Sequence, residues 1–434
     1  MTGSTALLTD RYELTMVDAA IGSGLHERAC VFEAFARRLP SGRRYGIVAG
    51  VGRLLEAIDR FRFQDSELEW LRDEDIVGAQ TLDWLANFRF SGSVSGYREG
   101  EVYFPGSPLL IVEAPFAEGV LLETIVLSIY NYDSSVASAA ARMVSAAAGR
   151  PLAEMGSRRA NERAAVAASR AAYIAGFSAT SNLEAGRTWG IPTMGTAAHA
   201  FTLLHDSEED AFRAQVAAMG TDTTLLVDTY NVRQAIDRAV AAAGTSLGAI
   251  RLDSGDLGVL VRAARQQLDS LGATGTKITV TNDLDEYAIA ALASAPVDSY
   301  GVGTSVVTGS GAPAAGMVYK LVAHKGGDGG WLPVAKKSDG KATVGGRKSA
   351  VRSFGHDGYA KAEIIQIVGH DEAPRDDGRA LLVPLITAGQ VHEEHRGAQG
   401  VTAARLHRES AISELPADAF RLGRGDPVLP TVFV

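Results

Sequence analysis

Ala249-Ile250-Arg251-Leu252-Asp253-Ser254-Gly255-Asp256-Leu257-Gly258 reads as a short buried strand that runs straight into a turn. Side chains alternate faces along a strand, so Arg251 and Asp253 point one way and Ile250 and Leu252 the other. Ser254-Gly255-Asp256 carries turn and N-cap chemistry, and Leu257, Leu260, Val261 and Ala264 then recur at helical spacing. A guanidinium and a carboxylate leaving a strand end side by side, next to the free N–H groups of a helix start, suit a phosphorylated, metal-bearing ligand. On this stretch alone, a buried Arg–Asp ion pair that only fixes a barrel strand has equal standing.

The same unit repeats on both sides. Residues 191–194, 225–228, 249–253, 278–281 and 299–302 read as strands separated by segments able to form helices. Units recurring roughly every 20–35 residues describe part of a β/α barrel. Each strand exits into polar residues: Gly195, Thr196 and His199; Asp228-Thr229-Tyr230-Asn231; Arg251 and Asp253; Asn282-Asp283; Gly303-Thr304-Ser305. In such a barrel the site is built at that face from several strand ends. His199, just past one of them, is the histidine placed for chemistry, whereas His205 reads as a surface residue.

Upstream, residues 54–88 have helical spacing, and short strands punctuated by Gly and Pro follow over 90–115. Ala-rich helices over 134–148 and 160–175 flank a tight turn, Glu154-Met155-Gly156-Ser157-Arg158-Arg159. Downstream of the barrel pattern come a strand over 316–322, basic runs near Lys337 and Lys348, and strands with one helix near 403–414. Near the start, Thr9 or Asp10 caps a helix that carries Tyr12, and Arg37-Arg38 with Arg43-Arg44 make a local basic cluster, a solvated loop or an anion contact.

Composition limits the function classes. At 434 residues, 46% hydrophobic and 21% charged, the chain is an ordinary globular protein with a large core. A net charge of −9 argues against a nucleic-acid binder that works through a basic surface. Cys30 is the only cysteine, so intramolecular disulfides and multi-cysteine zinc sites are excluded. The first ten residues lack the features of a secretory signal, and the most apolar run, 108–127, is broken by Glu113, Pro115, Glu118 and Glu123. A cytoplasmic protein with no membrane contact is expected. The Gly340–Gly346 stretch before Arg347-Lys348-Ser349 is not a P-loop, Gly301-Val302-Gly303 is not a dinucleotide fingerprint, and His392-Glu393-Glu394-His395 lacks the zinc-protease spacing. Gly301-Val302-Gly303-Thr304 still suits a turn whose N–H groups cradle one phosphate.

Taken together, Leu8 through Met16, Phe32 through Pro40, Glu101 through Pro108, Glu154 through Arg159, Gly195 through Phe201, Val227 through Tyr230, Arg251 through Asp256, Asn282 through Glu286, Tyr300 through Thr304 and Lys337 through Lys348 resemble, in order and spacing, the nicotinate phosphoribosyltransferase family of actinobacterial type. The resemblance implies an α/β fold of type II phosphoribosyltransferases. It predicts an irregular β/α barrel over 131–339 and a second α+β domain built from 1–130 with 340–434. It implies that nicotinate and phosphoribosyl pyrophosphate (PRPP) become nicotinate mononucleotide and pyrophosphate in NAD biosynthesis by salvage, coupled to ATP hydrolysis. The enzyme would be a homodimer with shared sites.

Residue by residue, the resemblance makes His199 the histidine that ATP phosphorylates and Asp228 the acid that orients it. Arg251 and Asp253 would hold the ribose-phosphate and its hydroxyls, and Asn282, Asp283, Gly303 and Thr304 would line the 5′-phosphate and ribose end. Mg²⁺ would be carried by PRPP and waters. Arg37 or Arg38 of the partner subunit would meet the pyrophosphate, with Lys337 and Lys348 as further phosphate contacts. Asp10 is carried over as a substrate-binding position, and Tyr12 of the partner subunit would cover one face of the pyridine ring. Met155 would cover the other face, where Phe is commoner. Arg158 would pair with the nicotinate carboxylate or orient the ring. Thr180-Ser181 stands where nicotinamide-using relatives resemble Gly-Thr-Asp, and Ser181 removes a carboxylate that would repel nicotinate. The rival readings are a nicotinamide phosphoribosyltransferase, a quinolinate-using relative and a non-catalytic ligand-binding relative.

Overall fold

The computed structural model describes residues 3–336, 343–368 and 378–434. The chain forms two units, Met1–Ser138 with Ala312–Val434, and Ala139–Gly311.

The unit of Ala139–Gly311 contains the parallel sheet. Its strands neighbour one another in the order Ala179–Thr180, Leu152–Glu154, Ser299–Val302, Lys277–Val280, Ala249–Leu252 and Thr224–Leu226, every pair parallel. One parallel bridge from Thr180 to Thr193 extends the first edge. Neighbours in space are therefore cyclic neighbours in sequence, which is barrel topology. Among the described residues no pairing joins Thr193 to Thr224–Leu226, so the ring is open there. Helices that include Glu162–Ile174, Leu183–Trp189, His199–Leu204, Val232–Ala243 and Leu257–Ser270 alternate with the strands. Leu225, Ile250, Leu252, Ile278, Val280 and Val302 are buried, as befits strands covered on both faces.

Two barrel strands escape sequence reading. Leu152–Glu154 and Ala179–Thr180 are three and two residues long, too short for a recognisable alternation. The strand expected over 191–194 shrinks to the Thr193 bridge, because Pro192 has no N–H to offer a ladder.

The other unit is built on a seven-stranded, wholly antiparallel sheet. Its order is Trp331–Pro333, Met317–Lys325, Ala29–Ala36, Leu110–Pro115, Ser93–Tyr97, Leu382–Thr387 and Gln390–Val391. Met317–Lys325 falls within the stretch assigned to the barrel from sequence. It belongs instead beside Ala29–Ala36, with Ala34 opposite Tyr319, and the Phe32 and Tyr319 rings stack with centroids 5.2 Å apart. The boundaries between the units accordingly fall at Ser138 and Ala312.

A buried charge cluster ties the C-terminal stretch to the N-terminal one within this unit. Arg352 is fully buried and donates to Glu101 at 2.6 Å, Glu363 at 2.5 Å, Glu414 at 3.2 Å and the Val102 carbonyl at 2.7 Å. Arg379 and His407 also reach Glu101, at 2.7 and 2.8 Å. Against the cost of burial, the hydrogen bond from His407 and the charges of Arg352 and Arg379 hold the Glu101 carboxyl far below its usual range. Removing one member of a buried ion cluster leaves the others uncompensated. Arg352→Met should therefore lower unfolding stability in urea by about 3–5 kcal/mol; an unchanged midpoint would remove the cluster from the account of stability.

Candidate active site

At the C-terminal ends of the parallel strands lies a cavity of about 430 Å³. Five of the six strands, and the Thr193 bridge, contribute to its lining, as a site at the C-terminal face of a barrel does. Met155 and Arg158 follow Leu152–Glu154, Ser181 follows Ala179–Thr180, and Thr196 follows the Thr193 bridge. Asp253, then Thr281, Asn282 and Asp283, then Gly303 and Thr304 leave the next strands.

Two loops are tied together beside this cavity. His199 begins the helix His199–Leu204, directly after the lining residues Gly195 to Ala198. Its Nε2 lies 3.2 Å from Asp228 Oδ1, with the ring 40% exposed and the carboxylate 1% exposed. Asp228 Oδ2 accepts the Asp253 N–H at 2.9 Å and the Ser254 hydroxyl at 2.7 Å. Arg251 completes the tie by donating to the Thr196 hydroxyl. Burial pushes the Arg251 guanidinium down from its usual range, with Arg158 adding to the effect and Asp253 and Asp228 opposing it. Its Nε is buried with no hydrogen-bond partner among the described residues, an orphan donor that an anionic ligand nearby would offset electrostatically. Asp253 Oδ1 takes the Thr281 hydroxyl. Asn282 holds φ at +95°, a strained value for a residue with a side chain, as strand-end residues at sites often do.

The cavity floor rests on Glu154, which sequence reading placed only within a turn. Glu154 is fully buried; Oε2 accepts from Ser169 at 2.7 Å and from Thr180 at 2.6 Å, and Oε1 accepts the Gly156 N–H. Among the described residues three neutral donors carry its hydrogen bonds. It thereby holds the loop of Met155 to Arg158 against the strand before Ser181. Asn182 Nδ2 on Ser157 Oγ, at 3.0 Å, links the same two loops above. Gly301 leaves room for the Met155 thioether: a Cβ there would meet Sδ at 2.7 Å. Gly156 is equally confined, since its Cβ would meet Val307 at 2.2 Å.

Of the residues singled out from sequence, Met155, Arg158, Ser181, Arg251, Asp253, Asn282, Asp283, Gly303 and Thr304 line this cavity, and His199 and Asp228 adjoin it. Thr180 does not reach it. Its side chain is buried, committed to Glu154 and accepting the Asn182 N–H at 3.0 Å, so a direct substrate contact is corrected to a supporting one. Lys348 is likewise committed internally: its ammonium is buried against Glu33 and the Val344 carbonyl. Lys337 lies outside the described residues.

Asp10, Tyr12 and Arg37 belong to the other unit. Asp10 stands at the start of the helix Arg11–Gly22. Tyr12 is 45% exposed, and its hydroxyl is pushed up to about 12 by partial burial and by the Glu123 and Glu13 carboxylates. Burial pushes the Glu13 carboxyl up to about 7, although Thr124 hydrogen-bonds to it. Arg37 lines a second cavity, of about 410 Å³, with Arg38, Arg43 and Arg424.

The chain is similar to known proteins in sequence and in fold. The model of the nicotinate phosphoribosyltransferase (NAPRTase) N-terminal domain matches residues 7–131. Nicotinate phosphoribosyltransferase pncB1 of Mycobacterium tuberculosis is 56% identical over 433 residues, covering 98% of this chain and 94% of that one. The nicotinate phosphoribosyltransferase of Bacillus subtilis is 38% identical over 387 residues, covering 87% of this chain and 78% of its own length. The crystal structure of human nicotinic acid phosphoribosyltransferase superposes with a TM-score of 0.82 at 27% identity, covering 98% and 97% of the two chains. A nicotinate-nucleotide pyrophosphorylase from Pyrococcus furiosus, at 22% identity and a TM-score of 0.75, shares the fold.

Glu154→Gln tests the floor. It puts an amide donor against donors that now meet a carboxylate oxygen, so the Met155 and Ser181 loops should separate. Calorimetric titration with nicotinate, the ligand the resemblance implies, should weaken about tenfold, equivalent to ~1.4 kcal/mol. An unchanged affinity would reduce Glu154 to a fold residue.

Proposed function

The chain belongs to the nicotinate phosphoribosyltransferase family, and from that premise we propose that it converts nicotinate and PRPP to nicotinate mononucleotide and pyrophosphate in NAD salvage, coupled to ATP hydrolysis through a phosphohistidine at His199. The observation that carries this reading is the His199–Asp228 pair, tied to the Arg251–Asp253 strand end beside the cavity.

Asp228 faces Nε2, so it favours the tautomer with hydrogen on Nε2 and leaves the lone pair on Nδ1. In the proposed first step Nδ1 attacks the γ-phosphorus of ATP. The Nδ1–P bond forms, the bond from phosphorus to the bridging oxygen breaks, and ADP leaves with that electron pair. After sugar transfer, water attacks the same phosphorus and releases phosphate, restoring the imidazole.

For the transfer itself, charge placement matters more than a strong base, because the ribosyl carbon acquires oxocarbenium character. Arg251, with its orphan Nε, suits a phosphate; Asp253 suits ribose hydroxyls; Asn282, Asp283, Gly303 and Thr304 supply polar and backbone groups at the 5′-phosphate end. Mg²⁺ would arrive on the pyrophosphate with its waters. Arg158 pairs with the nicotinate carboxylate in this proposal, and the Met155 thioether covers the ring. Tyr12, Asp10 and Arg37 of a second copy would complete the site in a homodimer; the exposure of Tyr12 supports that role. No helix among the described residues is long and apolar enough to cross a membrane, and we place the enzyme in the cytoplasm.

The deciding experiment is product formation from PRPP and Mg²⁺ with nicotinate or nicotinamide, each with and without ATP. ATP-stimulated nicotinate mononucleotide is the expected result; no product from either base would leave a ligand-binding relative as the better reading. His199→Ala should abolish phosphoenzyme formation and ATP hydrolysis while leaving some ATP-independent transfer, and intact ATP coupling in this variant would sink the phosphohistidine. Ser181→Asp should reduce the preference for nicotinate over nicotinamide at least about tenfold, since a carboxylate there repels the acid and accepts from the amide. Kinetics with an unchanged preference would take Ser181 out of the specificity argument.

A further inference from the structure

The Asp228 carboxylate has two distinct jobs. Oδ1 serves the His199 ring, whereas Oδ2 holds the backbone N–H of Asp253 and the hydroxyl of Ser254. The side chain is 1% exposed, so water does not compete for these positions. Ser254 itself is exposed and is followed by Gly255 at φ +83°, so the turn is held on one side mainly by Asp228. On its other side the same strand end is tied back to the histidine loop, through Arg251 and Thr196. His199, Asp228, Ser254, Arg251 and Thr196 therefore close a ring of contacts between the two loops.

We propose that Ser254 is the positioning residue through which phosphorylation of His199 is felt by PRPP. This rests on the phosphohistidine reading above. Phosphorylation at Nδ1 withdraws electrons from the ring and makes the Nε2 hydrogen a stronger donor. The donors on one carboxylate share its single negative charge, so each is held more weakly as one of them strengthens. Asp228 then draws toward the phosphorylated ring and loosens its hold on Ser254, which frees the turn carrying Asp253 to close on the ribose-phosphate. Without phosphorylation the hydroxyl stays committed to Asp228 and the turn stays back.

The test is Ser254→Ala, with Ser254→Thr as the variant that keeps a hydroxyl. The quantity read is the ratio of the PRPP KM without ATP to that with ATP, alongside phosphoenzyme labelled from γ-phosphate-labelled ATP. Ser254→Ala should still form phosphoenzyme, yet its KM ratio should collapse about fivefold or more toward unity, and Ser254→Thr should restore most of it. A general loss of structure would move both KM values together and leave the ratio alone. A wild-type ratio in Ser254→Ala overturns the proposal. So does loss of the phosphoenzyme in that variant, which would make Ser254 a support for the nucleophile. Absence of phosphoenzyme in the wild-type protein overturns the phosphohistidine reading, and the coupling with it.

Discussion

A carboxylate shut away from water must find donors, and the site is arranged around meeting that demand. Asp228 and Glu154 are both nearly or wholly buried, and no Lys or Arg pairs with either among the described residues. Each is met by neutral donors from separate strand ends and loops. Leaving one such acceptor unmet costs of order 1–3 kcal/mol, more when it is charged. That penalty holds the loops in register and gives the cavity its shape.

The two carboxylates divide the cavity between them. Glu154 organises the side with Met155, Arg158 and Ser181, the side on which the proposed function puts the aromatic acid. Asp228 organises the side with His199, Arg251 and Asp253, to which the same proposal assigns the phosphate chemistry. Small residues permit the arrangement: Gly301 admits the Met155 thioether, and Gly156 fits a space with no room for a Cβ. In the other unit the same physics appears with cations included. Arg352 satisfies Glu101, Glu363 and Glu414, which lie far apart in sequence, and so ties its chain ends into one fold. Such clusters specify which segments meet more surely than they add stability.

The barrel and its face were legible in sequence because short apolar runs ending in polar residues, separated by helix-forming segments, recur through 225–302. Strands of two or three residues, Ala179–Thr180 and Leu152–Glu154, carry too few positions to show a period. Met317–Lys325 shows a clear strand pattern, but nothing local says whether such a strand joins a parallel ring or an antiparallel sheet. Its pairing with Ala29–Ala36 depends on residues nearly three hundred positions away (Phe32 against Tyr319). For a related reason the resemblance, which carried Lys348 and Thr180 over as ligand contacts, could not show that Glu33 and Glu154 hold them internally.

Sequence by itself determined the fold class and the polar strand-end face of the barrel. Those follow from apolar runs and from residue type, which are properties of neighbours along the chain. It also carried the family, through the order of motifs such as Gly195-Thr196-Ala197-Ala198-His199 and Arg251-Leu252-Asp253-Ser254-Gly255. Tertiary structure alone decided which carboxylate each donor serves, which lysine is spent internally, and that Asp228 spans the histidine and the Ser254 turn. Those are outcomes of desolvation: a polar group's partner is chosen by what else is buried beside it, and burial is set only when distant segments pack.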